Sequence, residues 1–245
     1  MIQFFAPDIE TTLTLPEGES QHCVKVLRHT EGDTIYAIDG KGHRFECRIV
    51  AAHQKHTAVE ITGRTDVPVF WPAPITLAVA PTKHLDRMEW LVEKLTEVGF
   101  DRFVPLLCRW SERKDIKAGR LEKIAVSAMK QSLKATLPAI DEMTPFRRFI
   151  EDTAGVAQRF IAYCDDAAPR RLLAQVYRPG LPTAILIGPE GDFAPQEVAA
   201  AIEAGWQPVS LGDARLRTET AALTAVQTCH ILNQAAQGTG LPQTN

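Results

Sequence analysis

Apolar and charged side chains alternate without a break along Arg44-Phe45-Glu46-Cys47-Arg48-Ile49, the pattern of a strand with one face buried and one face wet. Thr34-Ile35-Tyr36-Ala37-Ile38 precedes it across Asp39-Gly40-Lys41-Gly42, and that glycine-rich turn predicts a hairpin. Thr57-Ala58-Val59-Glu60-Ile61 supplies a further strand. Upstream, the stretch Ser20 to Arg28 carries apolar residues at Cys23, Val24 and Leu27. This spacing predicts a short helix with Ser20 as its N-cap and with His22, Lys25 and Arg28 facing outward. That outward face is either ordinary solvated surface or a phosphate-contacting one. Residues 1–66 therefore read as a small β-rich unit.

Pro68, Pro72 and Pro74, with Trp71 among them, then punctuate a stiff linker and the best domain boundary in the chain. Beyond it the period changes. Ile75 to Ala80 is a continuous apolar run, and residues 84–98 place Leu85, Met88, Leu91, Val92, Leu95 and Val98 on one helical face closed by Gly99. A strand over 103–107, a helix over 119–133, helix signals from Thr144-Pro145, a strand over 160–164 and a final helix over about 218–236 follow. Strands alternating with helices predict an α/β domain with a parallel, helix-covered sheet. The residues after Gly238 read as a frayed tail.

Two junctions stand out. Ala184-Ile185-Leu186-Ile187 runs into Gly188-Pro189-Glu190-Gly191-Asp192-Phe193, and Ser210-Leu211-Gly212 leads through Asp213-Ala214-Arg215-Leu216 to Arg217-Thr218-Glu219-Thr220-Ala221. Each reads as a buried strand that breaks at glycine just before a helix, the place where open α/β sheets bind ligands. No Lys-Ser/Thr pair follows the glycines and no Gly-x-Gly-x-x-Gly occurs, which excludes a phosphate loop and a dinucleotide fingerprint. The two junctions predict one small-molecule site built mostly from main chain. Arg215, Arg217 and Glu219 crowd three charges into the opening of an otherwise apolar helix.

Composition narrows the class. The chain has 245 residues, 45% of them hydrophobic, and a net charge of −3, enough for one large or two small cores and without a global basic field. Five scattered cysteines without a Cys-x-x-Cys pair read as core thiols of a reducing compartment, and no ligand spacing among the seven histidines suggests a metal. The N-terminus lacks the charge and apolar length of a signal peptide and no segment reaches membrane-spanning length, so a soluble, cytoplasmic protein is expected. Basic residues gather locally: Lys83, His84 and Arg87 open one helix. Arg109, Arg113, Lys114, Lys117, Arg120, Lys123, Lys130 and Lys134 follow around the next, with Trp110 as a possible stacking surface. Interspersed acids leave a plain solvated face as the alternative.

Taken together, Leu186 to Phe193, Leu211-Gly212 and Leu216-Arg217-Thr218-Glu219-Thr220-Ala221 resemble the signature of the RsmE family of 16S ribosomal RNA uracil-N3 methyltransferases. Further matches are Glu93-Lys94-Leu95-Thr96-Glu97-Val98-Gly99, Lys130-Gln131-Ser132, His22 and Val26-Leu27-Arg28, in order along nearly the whole chain. The resemblance implies a PUA-like RNA-binding β-barrel over residues 1–68. It implies a SPOUT methyltransferase domain over 74–238 with a C-terminal trefoil knot, and a homodimer. The implied cofactor is S-adenosylmethionine, held by Leu186, Ile187, Gly188, Pro189, Glu190, Gly191, Leu211, Gly212, Arg215, Leu216, Thr220 and Ala221. The implied partner is 16S ribosomal RNA in the small subunit, contacted through His22, Lys25, Arg28, Lys83, Arg87, Arg109, Lys130 and Lys134. The sequence departs from the family at Gln3, where an arginine is frequent. It departs again at Lys130 and Lys134, for a frequent glutamate and arginine, and at Leu133, for a frequent glycine.

Uracil N3 is a poor nucleophile until its proton leaves, and negative charge then spreads to the flanking carbonyls. Arg217 is expected to stabilise that charge and Glu219 to take the proton; the plainer roles are a salt bridge between the two and stabilisation of the helix N-terminus. Two other readings stay open: a related enzyme acting on a ribose 2′-hydroxyl or a tRNA base, and a catalytically silent RNA-binding assembly factor.

Overall fold

The computed structural model describes residues 1–164 and 170–238, so the tail expected after Gly238 lies outside the described residues. The chain divides into two compact units, Met1–Phe70 with Ala125–Leu137, and Trp71–Ile124 with Pro138 onward.

The first unit opens with β1 (Gln3–Phe5), α1 (Ile9–Thr12) and α2 (Glu17–Gln21), which passes directly into a π-helical turn, His22–Val26. Strands β2 (Thr34–Ile38), β3 (His43–Ala51) and β4 (Ala58–Asp66) complete a four-stranded sheet in the order β1-β2-β3-β4. β1 runs parallel to β2, and the other pairs are antiparallel. The alternation in β3 is realised: Phe45, Cys47 and Ile49 are buried beside Phe4, Ile9, Ile35 and Val59, while Glu46 and Arg48 face solvent. At the β2–β3 turn the Asp39 carboxylate accepts hydrogen bonds from the Lys41 and His43 N–H groups at 2.7 and 3.1 Å and meets His43 Nδ1 at 2.6 Å.

Ser20 is not the N-cap expected of it. The helix begins earlier, after Pro16, with Glu17 and Glu19 in its first turn, where carboxylates complement the helix dipole. Ser20 is fully buried within it, and its hydroxyl donates to the Leu15 carbonyl and accepts the Thr57 N–H, both at 2.9 Å. Cys23 is buried, Val24 and Leu27 are partly buried, and Lys25 and Arg28 are exposed.

The second unit contains β5 (Ile75–Val79), α3 (Leu85–Val98), β6 (Arg102–Leu107), and the start of α4 (Ala118–Gln131), whose later residues belong to the first unit. There follow β7 (Ala139–Ile140), β8 (Thr144–Pro145), α5 (Phe146–Asp152), β9 (Gln158–Ala162), β10 (Arg171–Leu172), α6 (Leu173–Val176), β11 (Thr183–Ile187), α7 (Pro195–Glu203), β12 (Gln207–Ser210) and α8 (Thr218–Ala236). Every strand pair is parallel, in the order β10-β12-β9-β11-β5-β6-β7 with β8 also against β6. Phe146, Phe149, Leu186, Phe193 and Trp206 pack with Ala78, Val104 and Ile161 in one core cluster. α8 packs against α3, β5 and β11. Trp71, expected within a linker, is 7% exposed and belongs to this unit: its indole N–H donates to Asp101 at 2.8 Å, and its ring lies where any Cβ on Gly99 would fall. Gly99 ends α3 at φ +109°, so both its conformation and its neighbour demand glycine.

Candidate active site

The parallel sheet aims the C-terminal ends of its strands at one edge. β11 is inserted between β5 and β9, which precede it in sequence, so its C-terminus lies where the strand order turns over. Carboxylates tie the loops there to one another. Glu190 Oε1 accepts the Lys83 N–H at 3.0 Å, joining the loop after β11 to the loop after β5. Asp192 Oδ2 accepts the Cys164 N–H at 2.7 Å, reaching the loop after β9. Glu197 Oε1 accepts the Arg109 N–H at 2.8 Å, reaching the loop after β6, while its Oε2 accepts the Ala194 N–H that opens α7. Nothing in the sequence marks Asp192 and Glu197 as organisers of these loops. Asp192 sits at φ +66°, a left-handed conformation that a short acidic side chain tolerates better than most, but spacing alone does not reveal it.

The expected cofactor residues fall at two junctions, one running from the end of β11 into its loop and one from the loop after β12 into the start of α8. Leu186, Ile187, Gly188 and Pro189 are buried at the end of β11, whereas Glu190 and Gly191 are exposed. A Cβ on Gly188 would lie 3.0 Å from the Phe193 ring, so glycine is needed there for close packing. At the second junction the loop residues Leu211 and Leu216 are partly buried and Gly212 and Arg215 are exposed, while in the first turn of α8 Thr220 is exposed and Ala221 is partly buried. Gly212 has φ +120° with open space where a side chain would be, leaving its main chain accessible to a ligand.

The glycines do not abut helices as expected. α7 starts at Pro195 and α8 at Thr218, so each glycine opens an irregular loop. In the first loop the Asp192 N–H donates to the Pro189 carbonyl, and the left-handed φ of Asp192, +66°, keeps a helix from running through it. Arg215 therefore lies in a loop, Arg217 is the N-cap residue of α8, and only Glu219 is in its first turn.

Glu219 is 8% exposed and makes no salt bridge to Arg217 among the described residues. Its partner is Arg87 on α3, whose Nε lies 3.8 Å from Oε1. Glu219 Oε2 is buried with no hydrogen-bond partner. Arg217 is exposed and enters no ion pair among the described residues. The head of α8 thus carries an exposed cation two residues before a buried carboxylate with one unpartnered oxygen.

The other basic residues are distributed over both units. In the second, Lys83 lies 3.6 Å from Glu112, and Arg109 is exposed. In the first, Lys25 and Arg28 are exposed, His22 meets the edge of Phe4 at 5.9 Å, and Lys134 lies 6.0 Å from the Phe70 ring. Lys130 forms a 2.5 Å ion pair with Glu19. Gln3 is 1% exposed and donates to the Lys134 carbonyl, and Leu133 adopts φ +56°. The cysteines differ from the expectation of uniform core thiols. Burial pushes the Cys23 and Cys47 thiols up to about 11 and Cys229 to about 12, whereas Cys164 is exposed. Among the described residues no three His, Cys, Asp or Glu side chains gather as metal ligands, and no helix is long and apolar enough to cross a membrane.

A family model of an RNA methyltransferase domain matches residues 70–230, and one of an RNA methyltransferase PUA domain matches residues 15–62. The chain belongs to the ribosomal RNA small subunit methyltransferase E family. The member from Synechocystis sp. is 31% identical over 224 residues, covering 89% of this chain and 72% of its own. The member from Mycobacterium tuberculosis is 29% identical over 236 residues, covering 92% and 88%. The fold agrees with family membership. The probable rRNA-methyltransferase of Porphyromonas gingivalis superposes with a TM-score of 0.92 at 47% identity, covering 96% of this chain and 100% of that one. The family member from Neisseria gonorrhoeae, solved bound to S-adenosyl methionine, gives 0.84 at 28% identity, covering 95% and 98%. The protein is accordingly an RNA methyltransferase of mixed α/β fold with a parallel sheet and a PUA-like domain.

Proposed function

We propose that this protein transfers the methyl group of S-adenosylmethionine to N3 of one uridine near the 3′ end of 16S ribosomal RNA in the small subunit. The observation that carries the chemistry is the head of α8, where exposed Arg217 precedes by two residues the buried Glu219 with its unpartnered Oε2. The residues present fit the cofactor. Glu190, Gly191 and Gly212 to Arg215 are exposed, and Gly212 has no side chain to obstruct an approach. Leu186 to Gly191, Leu211, Gly212, Arg215, Leu216, Thr220 and Ala221 would hold adenine and ribose largely through backbone groups. The bound cofactor supplies a methyl group already activated on a sulfonium.

What remains is the acceptor. Glu219 Oε2 takes the N3 proton of the uracil, and Arg87 holds the other carboxylate oxygen in place. Arg217 donates to a uracil carbonyl, where charge builds as the proton leaves. Arg87 therefore serves the base rather than the RNA backbone. The other basic residues named above (His22, Lys25, Arg28, Lys83, Arg109, Lys130 and Lys134) contact the surrounding RNA, whose target base must be unstacked to be reached. A trefoil knot in the second unit is supported by the course of α8, which leaves β12 and returns to pack on β5, β11 and α3. A homodimer is supported by Trp90 on α3 and Ile231 on α8, exposed by 43% and 55% on two helices that pack together. A cytoplasmic location follows from the ribosomal substrate.

The test is methyl transfer from labelled S-adenosylmethionine to small ribosomal subunits, large subunits and tRNA, all from cells lacking the protein. Label confined to small-subunit RNA supports the proposal. Label on tRNA or large-subunit RNA moves the protein to a sister activity, and none anywhere overturns an enzymatic role.

A further inference from the structure

On the first unit an open hollow of about 430 Å³ is walled by Phe5, Pro7 and Pro16 and carries Glu19, His22 and Lys130. Its polar end is a built pair. Glu19 Oε1 and Lys130 Nζ are 2.5 Å apart, with side chains 15% and 20% exposed. Glu19 Oε2 is shielded from water and has no hydrogen-bond partner, which is costly for a carboxylate. The pair is neutral as a whole, so it does not favour a phosphate. The walls are mostly apolar, which suits the face of an aromatic ring. Lys130 keeps N–H donors beyond the one given to Glu19, and the glutamate's terminal torsion is broad enough to turn its second oxygen into the hollow.

We infer that this hollow docks an unstacked guanine of the substrate RNA, resting on the reading of the protein as an RNA methyltransferase. Guanine presents two neighbouring donors, N1–H and the N2 amino group, beside the O6 acceptor. The Glu19 carboxylate accepts the donors with both oxygens, Lys130 donates to O6, and Phe5 and the prolines take the ring face. Uracil and cytosine each lack one of the adjacent donors, and adenine lacks the carbonyl. Single-stranded RNA is commonly read in this way, through base edges and stacking.

The test uses the full chain and fluorescence anisotropy with short uridine oligomers carrying one central guanosine, adenosine, cytidine or uridine. Wild type should bind the guanosine oligomer about tenfold more tightly than the others, the discrimination of one good bidentate contact. Glu19→Gln should reduce that preference to within about twofold, since the amide offers a donor where guanine needs an acceptor. Gly18→Leu is a second variant. Gly18 lines the hollow and a Cβ on it meets nothing within 4 Å, so a larger side chain can start there without a clash and, by occupying the hollow, should also abolish the preference. Thermal melting and S-adenosylmethionine titration of both variants report folding. No guanine preference in wild type, a preference for another base, or a preference kept by both folded variants overturns the inference. Methyl transfer to small subunits by wild type, measured in parallel, separates the failures: transfer without guanine preference removes only the pocket, whereas absent transfer removes the enzymatic reading beneath it.

Discussion

Glu219 and Arg217 are separated by one residue, yet the structure gives them opposite environments: Glu219 is buried against Arg87 and Arg217 is open. Glu219→Gln keeps the shape and removes the proton acceptor, so single-turnover methyl transfer should slow by about 10²–10⁴-fold, with S-adenosylmethionine affinity unchanged by calorimetry. A variant that keeps the wild-type rate removes Glu219 as the base. Arg217→Ala should cost about 10²–10³-fold in the same assay, the usual loss for one donor to a developing oxyanion. Leu133 tests a different property. Its φ of +56° suits glycine, and Leu133→Gly should raise unfolding free energy by about 1 kcal/mol in denaturant titrations; a lower midpoint would show that the exposed leucine makes a compensating contact. The sequence signalled this position through the glycine frequent in the family, but the backbone strain itself appears only with coordinates. The Arg87 partnership was likewise illegible, because α3 and α8 lie more than a hundred residues apart in the chain.

At the scale of elements, periodicity was a good guide wherever one face is buried. β3 and the buried face of α3 follow directly from apolar spacing, whereas the buried face of α8 includes Thr218, Glu219, His230 and Asn233. It was a poor guide at helix starts, since Ser20 looks like an N-cap but its hydroxyl is needed inside the fold to bridge Leu15 and Thr57. The π-helical turn His22–Val26 has no composition that would announce it. The β2–β3 turn makes a pH-dependent prediction. Burial disfavours the Asp39 carboxylate, but the hydrogen bonds from the His43 ring and from the Lys41 and His43 N–H groups more than offset this and hold it below its ordinary value. A lowered carboxylate stabilises the fold above its unfolded value of about 3.9 and loses that contribution as pH falls through its lower folded value. Asp39→Asn should therefore destabilise the protein by about 1–3 kcal/mol near neutral pH. The gap to wild type should narrow as pH drops below about 4. A gap independent of pH would assign the effect to shape alone.

Across the whole molecule the α/β class and the parallel sheet were legible from the alternation of strands with helices. The order β10-β12-β9-β11-β5-β6-β7 was not, because inserting β11 between earlier strands depends on packing that no local pattern encodes. Nor was the assignment of Ala125–Leu137 to the first unit, since α4 is one continuous helix in sequence and in structure. The site itself was half legible. Glycines and charges marked the two loops, but the carboxylates of Glu190, Asp192 and Glu197 that bind the loops together through main-chain N–H groups are visible only in three dimensions. The measurement that bears most directly on the account is nucleoside mass spectrometry of small-subunit RNA after incubation with the purified protein and methyl-labelled S-adenosylmethionine. Labelled 3-methyluridine from the 3′ region is expected, and it should be lost with Glu219→Gln. A 2′-O-methylated nucleoside, or no labelled nucleoside from a folded, cofactor-binding protein, would contradict that expectation.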